Sequence, residues 1–175
     1  MIRINRAPVL TLWAAMVAER LGFDRDEALT LGRAVAGLSA QAKGRRLGIF
    51  EPSPDNLDQK RKEHGPDEVM IDFMQRHVPV IVTPDGIRAT THGKAMSPPS
   101  VEKYIAGKFG SHLDDARSAM SALARSIPAS EINQRAFGLY TRFRPEIPEG
   151  IEGWGASGAL SLEAIRRAAD QKHSD

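Results

Sequence analysis

Lys43, Arg45 and Arg46 stand almost side by side in "AKGRRLG", and Arg33 lies two to three turns upstream on the same expected helix. Cations at that density suit one chemistry, the binding of phosphates or other anions. Arg88 and Lys94, carried on an expected hairpin, could extend the same surface as a basic finger. Charge is segregated along the chain. Residues 1–50 and 78–145 are net basic, whereas 51–77 and 146–175 are net acidic. An anionic partner, nucleic acid among them, would meet the basic segments. So would the chain's own acidic segments or a second copy. A charged face that is merely solvated is the plainer reading.

A second group is Tyr140, Arg144 and Trp154, which could line a pocket for a small molecule near a glycine-rich loop. That loop, "EGWGASGALSLEAIRR", contains a literal G-x-G-x-x-G at Gly153, Gly155 and Gly158. The dinucleotide fingerprint draws its mechanism from a strand before the glycines and a helix after them, inside a βαβ unit. "RPEIPEGIE" precedes these glycines and has no strand pattern. The expected use is structural: a tight loop, Trp154 packed against the Phe137–Phe143 helix, and Ser161 capping the next helix. Presentation of loop amides to an anion is the weaker alternative.

Other chemistries find no support. The chain has no cysteine, which excludes disulfides, thiol catalysis and thiolate metal sites. None of His64, His77, His92, His112 and His173 lies three or four residues from another, so no metal-binding pair shares a helical turn. There is no phosphate-binding G-x-x-x-x-G-K-[ST] motif, and "GASGA" around Ser157 is not a nucleophile elbow. No catalytic residue, metal or cofactor is expected, and the reading leans away from an enzyme. "VAERLGFDRDEALTLGRAV" imitates helix-turn-helix spacing through Ala18, Gly22 and Leu31. Its second helix would meet DNA with Asp26 and Glu27, which phosphates repel, so an αα-hairpin is expected instead. A winged-helix reading of residues 67–91 meets the same objection from Asp67, Glu68 and Asp72.

These groups need elements to hold them. The 175 residues are 41% apolar and 26% charged with a net charge of +2, which suits one globular domain over residues 1–175. The pI near 9.1 reflects a small excess of Lys and Arg. Arg3 and Arg6 before the apolar run Val9–Ala18 imitate a signal peptide, but Glu19 and Arg20 follow at once. That run is too short to span a bilayer. Val9, Leu12, Trp13, Met16, Val17 and Leu21 have helical spacing and predict the first core helix, ended by Gly22. Asp24 with Glu27 forms a capping box for a second helix with Ala28, Leu31, Val35 and Leu38 inward, closed by Gly44. Gly32, Ala34, Ala36, Gly37 and Ala40 on that helix allow close approach of another helix, within the chain or across a homodimer.

Residues 51–66 form a polar connector. A helix over 67–77 is expected, with Val69, Met70, Phe73 and Met74 inward. Two β-rich runs flank Pro84-Asp85-Gly86 and predict a hairpin with a three-residue loop. "LGIF" (47–50) is a candidate third strand. Serines predict later helix starts at Ser97 or Ser100, Ser111, Ser130 and Ser161. The expected fold is mainly α within the α+β class: six to eight helices and one small antiparallel hairpin or three-stranded sheet.

"RAPVLTLWAAMVAERLGFDRDEALTLGRAVAGL" with "AKGRRLGIF", and "FGLYTRFRPEIPEGIEGWGASGALSLEAIRR", resemble a family of small bacterial proteins of uncharacterised function. The resemblance implies a cytoplasmic bacterial protein, transfers no functional residues and implies no activity. Three functions remain open. The first is a non-catalytic binding or regulatory protein with a basic surface for an anionic partner. The others are a small-molecule binder or enzyme at the Tyr140, Arg144 and Trp154 pocket, and a homo-oligomeric structural protein. No membrane partner is expected.

Overall fold

The computed structural model describes residues 2–46, 68–146 and 158–170. In chain order the elements are β1 (Ile2–Ile4), α1 (Arg6–Arg20), α2 (Arg25–Arg46), β2 (Val69–Phe73), β3 (Arg76–Thr83), β4 (Gly86–Thr91), β5 (Lys94–Ala95), α3 (Pro98–Phe109), a 3-10 turn (Gly110–His112), α4 (Leu113–Ser126), α5 (Ala129–Phe143), β6 (Gly158–Leu160) and α6 (Leu162–Asp170). The molecule is mostly helical, as expected, but its β structure exceeds a single hairpin or a three-stranded sheet. One antiparallel sheet has the order β2-β3-β4-β5, and a second pairs β1 with β6.

The helix α1 is the centre of the molecule. Every residue from Pro8 to Ala18 is buried, so the expected apolar stripe is joined by Leu10, Thr11, Ala14 and Ala15 on the other faces. A helix covered all round needs neighbours on every side, and α2, α3, α4 and α5 supply them. The only polar side chain inside that run, Thr11, returns its hydroxyl to the Ala7 carbonyl at 2.8 Å. Trp13 is fully buried, and its indole N–H donates to the Ala136 carbonyl of α5 at 2.9 Å. Its ring meets Phe143 edge-on at 5.3 Å. The helix ends where Gly22 takes φ +107°.

Close approach to α2 depends on Gly32. A Cβ there would press into the Thr11 carbonyl and lie 3.0 Å from the Ala15 nitrogen. At Gly32 the small-residue set of α2 therefore serves a contact inside the chain. The Asp24 and Glu27 capping box forms reciprocally: Asp24 Oδ1 accepts from the Glu27 N–H at 2.8 Å, and Glu27 Oε1 accepts from the Asp24 N–H at 3.0 Å. At the other end α2 runs through Gly44 to Arg46, so Gly44 lies within the helix and does not close it.

The expected helix over 67–77 is replaced by β2, a tight turn and the start of β3. Val69, Ile71 and Phe73 alternate as a strand requires, and Phe73 is buried. Met74 and Gln75 turn the chain with φ of 50° and 62°, values uncommon for side-chain-bearing residues. Tertiary contacts hold them there: Met74 is fully buried and its N–H donates to Asn133 Oδ1 of α5 at 2.7 Å. The next hairpin forms as expected, but Thr83 pairs with Gly86, which leaves a two-residue loop of Pro84 and Asp85. Gly86 takes φ +121°. The candidate strand "LGIF" lies outside the described residues.

Among the later helices, Ser97 caps α3 and Ser161 caps α6 through its Oγ, which accepts from the Ala164 N–H at 3.2 Å. Ser111 falls inside the 3-10 turn and Ser130 inside the first turn of α5, so neither is a cap. Among the described residues no helix is long and apolar enough to cross a membrane.

Candidate anion-binding surfaces

Helix α2 places the basic residues. Arg33 lies on its middle turns, and its guanidinium carbon sits 4.6 Å from the centroid of the Tyr104 ring of α3, a cation–π stack. Tyr104 is half-buried, which raises the pKa of its hydroxyl; the nearby Arg33 charge opposes that rise. Lys108 follows Tyr104 by one helical turn and is exposed, as is Lys103. Lys43, Arg45 and Arg46 occupy the last turns of α2. Cations there also complement the negative end of the helix dipole. Their side chains lie outside the described residues.

At the start of α2 the carboxylates are engaged within the fold. The β5 strand is only two residues long, so it leaves the outer edge of β4 largely uncovered. Glu27 Oε2 accepts from the Ile87 N–H at 2.9 Å, and the buried Thr30 hydroxyl accepts from the Ala89 N–H at 3.1 Å. Arg88 does not project as a finger. It is 8% exposed, donates to the Ile87 carbonyl at 2.8 Å and approaches Asp26 at 3.8 Å. Lys94, the other finger residue, is exposed. Glu102 of α3 is likewise occupied, by Arg25 and Arg117, each at 3.0 Å.

The alternative pocket is placed in part. Tyr140 is buried on α5, and Arg144 follows the last turn of that helix, exposed. Arg6, which sequence reasoning left out of the site, joins them. Its Nε donates to the Pro145 carbonyl at 2.9 Å, and its own carbonyl accepts from the Tyr140 hydroxyl at 3.4 Å. Burial pushes the Tyr140 hydroxyl pKa up to about 12, with Arg6 and Arg144 opposing.

Trp154, Gly153 and Gly155 lie outside the described residues. On α5, Phe143 meets Trp13 and Arg76 stands 4.8 Å from the Phe137 centroid. The third glycine of the motif has a plain structural use. Gly158 opens strand β6, and a Cβ on it would lie 2.5 Å from the Glu146 carbonyl oxygen and 2.8 Å from Pro145 Cβ. A strand follows these glycines where a dinucleotide site needs a helix.

Among the described residues no group of three or more His, Asp or Glu side chains is placed to hold a metal ion. His77 and Asp72 pair at 2.5 Å on the exposed face of β2 and β3. Tyr104 and Lys108 were not read as site residues from the sequence; the signal that could have drawn attention to them is their i, i+4 spacing on α3.

No protein-family model matches the chain, and searches of curated proteins and of solved structures give no match either.

Proposed function

We propose that this chain is a non-catalytic binding protein that holds an anionic polymer, nucleic acid in the first instance, on the surface formed by α2 and α3. The observation that carries the reading is Arg33 over the Tyr104 ring, which sets a cation of α2 against α3, the helix that also carries the exposed Lys108. A guanidinium held over a ring is fixed in place and costs less side-chain entropy on binding phosphate oxygens. The unbroken run of α2 to Arg46 adds Lys43, Arg45 and Arg46 on the same rod. Lys94 lies on a different element and is not needed for the surface.

Recognition on such a surface is electrostatic and indifferent to base sequence, because the acidic start of α2 is unsuited to reading bases. Fluorescence anisotropy with labelled single- and double-stranded oligonucleotides tests it. Binding should be measurable at about 50 mM salt and fall steeply towards about 200 mM. Arg45→Ala with Arg46→Ala should weaken it and flatten the slope of log K against log salt by one to two phosphate contacts' worth. Absence of binding at about 50 mM salt removes the proposal.

A further inference from the structure

We propose that β2 is the docking edge for a second copy of this chain, whose own β2 lies antiparallel against it and joins two four-stranded sheets into one. The order β2-β3-β4-β5 gives β2 a neighbour on one side only. Which of its backbone groups face outward follows from the ladder. The N–H groups of Ile87 and Ala89 leave β4 for Glu27 and Thr30 of α2, so the backbone groups of Arg88, between them, face β3. Alternation through the pairs Ile81↔Arg88 and Val80↔Ala89 turns those of Val78 and Val80 towards β2. In β2, Val69, Ile71 and Phe73 answer β3, and the N–H and C=O groups of Met70 and Asp72 point away from the sheet. Pro79, opposite Met70, agrees with that phase, since its missing N–H falls on the β4 side. Among the described residues neither Met70 nor Asp72 finds a backbone partner on the outer side.

At β4 the side chains of α2 take the N–H groups that the short β5 leaves uncovered. Among the described residues β2 has no such cover, and it lacks the lysine, proline or bulge that guards an edge strand. The most exposed large apolar side chains among the described residues, Val69, Met70 and Val82, all stand on β2 and β3. The strand is also complementary to itself. With Ile71 on a two-fold axis, Met70 of each copy faces Asp72 of the other and exchanges both N–H···O bonds with it. Ile71 then lies opposite Ile71, and Val69 opposite Phe73. Centring on Asp72 would set like charges opposite each other, and centring on Met70 would set Glu68 against Asp72. The Ile71 register avoids both. Asp72, the only charge on β2, is already answered by His77 of its own hairpin. This self-complementarity names a second copy as the occupant. The edge shares no residue with the α2 and α3 surface, so either proposal can fail alone.

Sedimentation velocity over a concentration series, with hydrogen exchange read at the Met70 and Asp72 amides, tests the proposal. A contact between two strands is small, so a Kd of about 10–100 µM is expected. Both amides should gain protection as the dimer forms. Met70→Pro removes an outward N–H without touching the ladder to β3 and should raise the Kd at least about tenfold. Met70→Glu sets like charges opposite each other across the axis and should do the same. Adding Asp72→Lys to Met70→Glu makes that pair attractive and should restore the Kd to within about threefold of the parent. This rescue reads the register even if Met70→Pro fails to fold. The Arg45→Ala, Arg46→Ala double variant should dimerise as the parent does. A parent that stays monomeric at about 500 µM would overturn the proposal. So would protection of both amides that does not depend on concentration, which would show the edge covered within the chain. Dimerisation undiminished by Met70→Glu, or not restored by Asp72→Lys, would overturn it as well.

Discussion

The two ends of α2 carry opposite charge and put it to opposite use. At the start, Asp24 caps the helix, Asp26 faces Arg88, and Glu27 both closes the capping box and satisfies the Ile87 N–H of β4. The acids of that end are spent on the fold. Further along, Arg33 lies over an aromatic ring and among the described residues meets no carboxylate, and the last turns add Lys43, Arg45 and Arg46. The lesson is that charge count alone does not mark a binding surface. A charged group whose hydrogen-bonding capacity is consumed by backbone is structural; one held in place with its donors unspent is available to a partner. The comparison predicts that damage at the acidic end appears as lost stability and damage at the basic end as lost binding.

The largest effect belongs to Glu27→Ala. It removes an acceptor from two backbone N–H groups and should cost about 2–4 kcal/mol, read from urea unfolding. A cost under about 0.5 kcal/mol, the size of an ordinary surface change, would break the comparison at its acidic end.

Next comes Tyr140, a buried neutral group near Arg6 and Arg144. Its folded pKa of about 12 stands above the ordinary value of 10.0. As pH rises past that ordinary value the unfolded chain releases its proton first, so stability is full below it and is lost as pH rises towards the folded value. The loss should approach about 2–3 kcal/mol. Tyr140→Phe should lack this contribution, and a pH-stability profile identical to that of the parent would refute the assignment.

Gly86→Ala sharpens the acidic end. Its φ of +121° strains any side chain, and the new Cβ would lie 2.9 Å from Glu27 Oε2. A cost of about 1–3 kcal/mol is expected, part of it through displacement of Glu27. In a double-mutant cycle with Glu27→Ala the two costs should add to less than their sum; strict additivity would separate the hairpin from the cap.

Much of the acidic end was legible in the sequence, because a capping box is a local device: Asp24 and Glu27 are three residues apart and announce themselves. The α1 stripe, the Pro84-Asp85-Gly86 turn and the Ser97 and Ser161 caps were legible for the same reason. What escaped was set by distant partners. The pattern over β2 reads as a helix because a turn at Met74 and Gln75 carries no turn chemistry of its own; Asn133 and burial impose it. The β1–β6 pair joins Ile2–Ile4 to Gly158–Leu160 in strands of three residues, too short for any periodicity to show. Arg88 looked like a finger because burial of an arginine depends on where α2 passes. Arg6 was invisible as a site residue because its neighbours lie more than 130 positions away.

At the basic end smaller changes in stability are expected. Arg33→Ala forfeits the Tyr104 stack and should cost about 0.5–1 kcal/mol. Its larger effect should be on binding, and a stability loss as great as that of Glu27→Ala would place Arg33 among the structural charges.

The central claim is that the basic length of α2 is kept for a polyanion, and salt-titrated anisotropy tests it most directly. The parent protein and the Arg45→Ala, Arg46→Ala double variant are compared from about 50 to 200 mM salt, with unfolding free energies measured alongside. The account predicts binding by the parent, a weaker and flatter salt dependence in the variant, and stabilities within about 0.5 kcal/mol of each other. Indistinguishable binding by the two proteins, or no binding by the parent at the lowest salt, would contradict it.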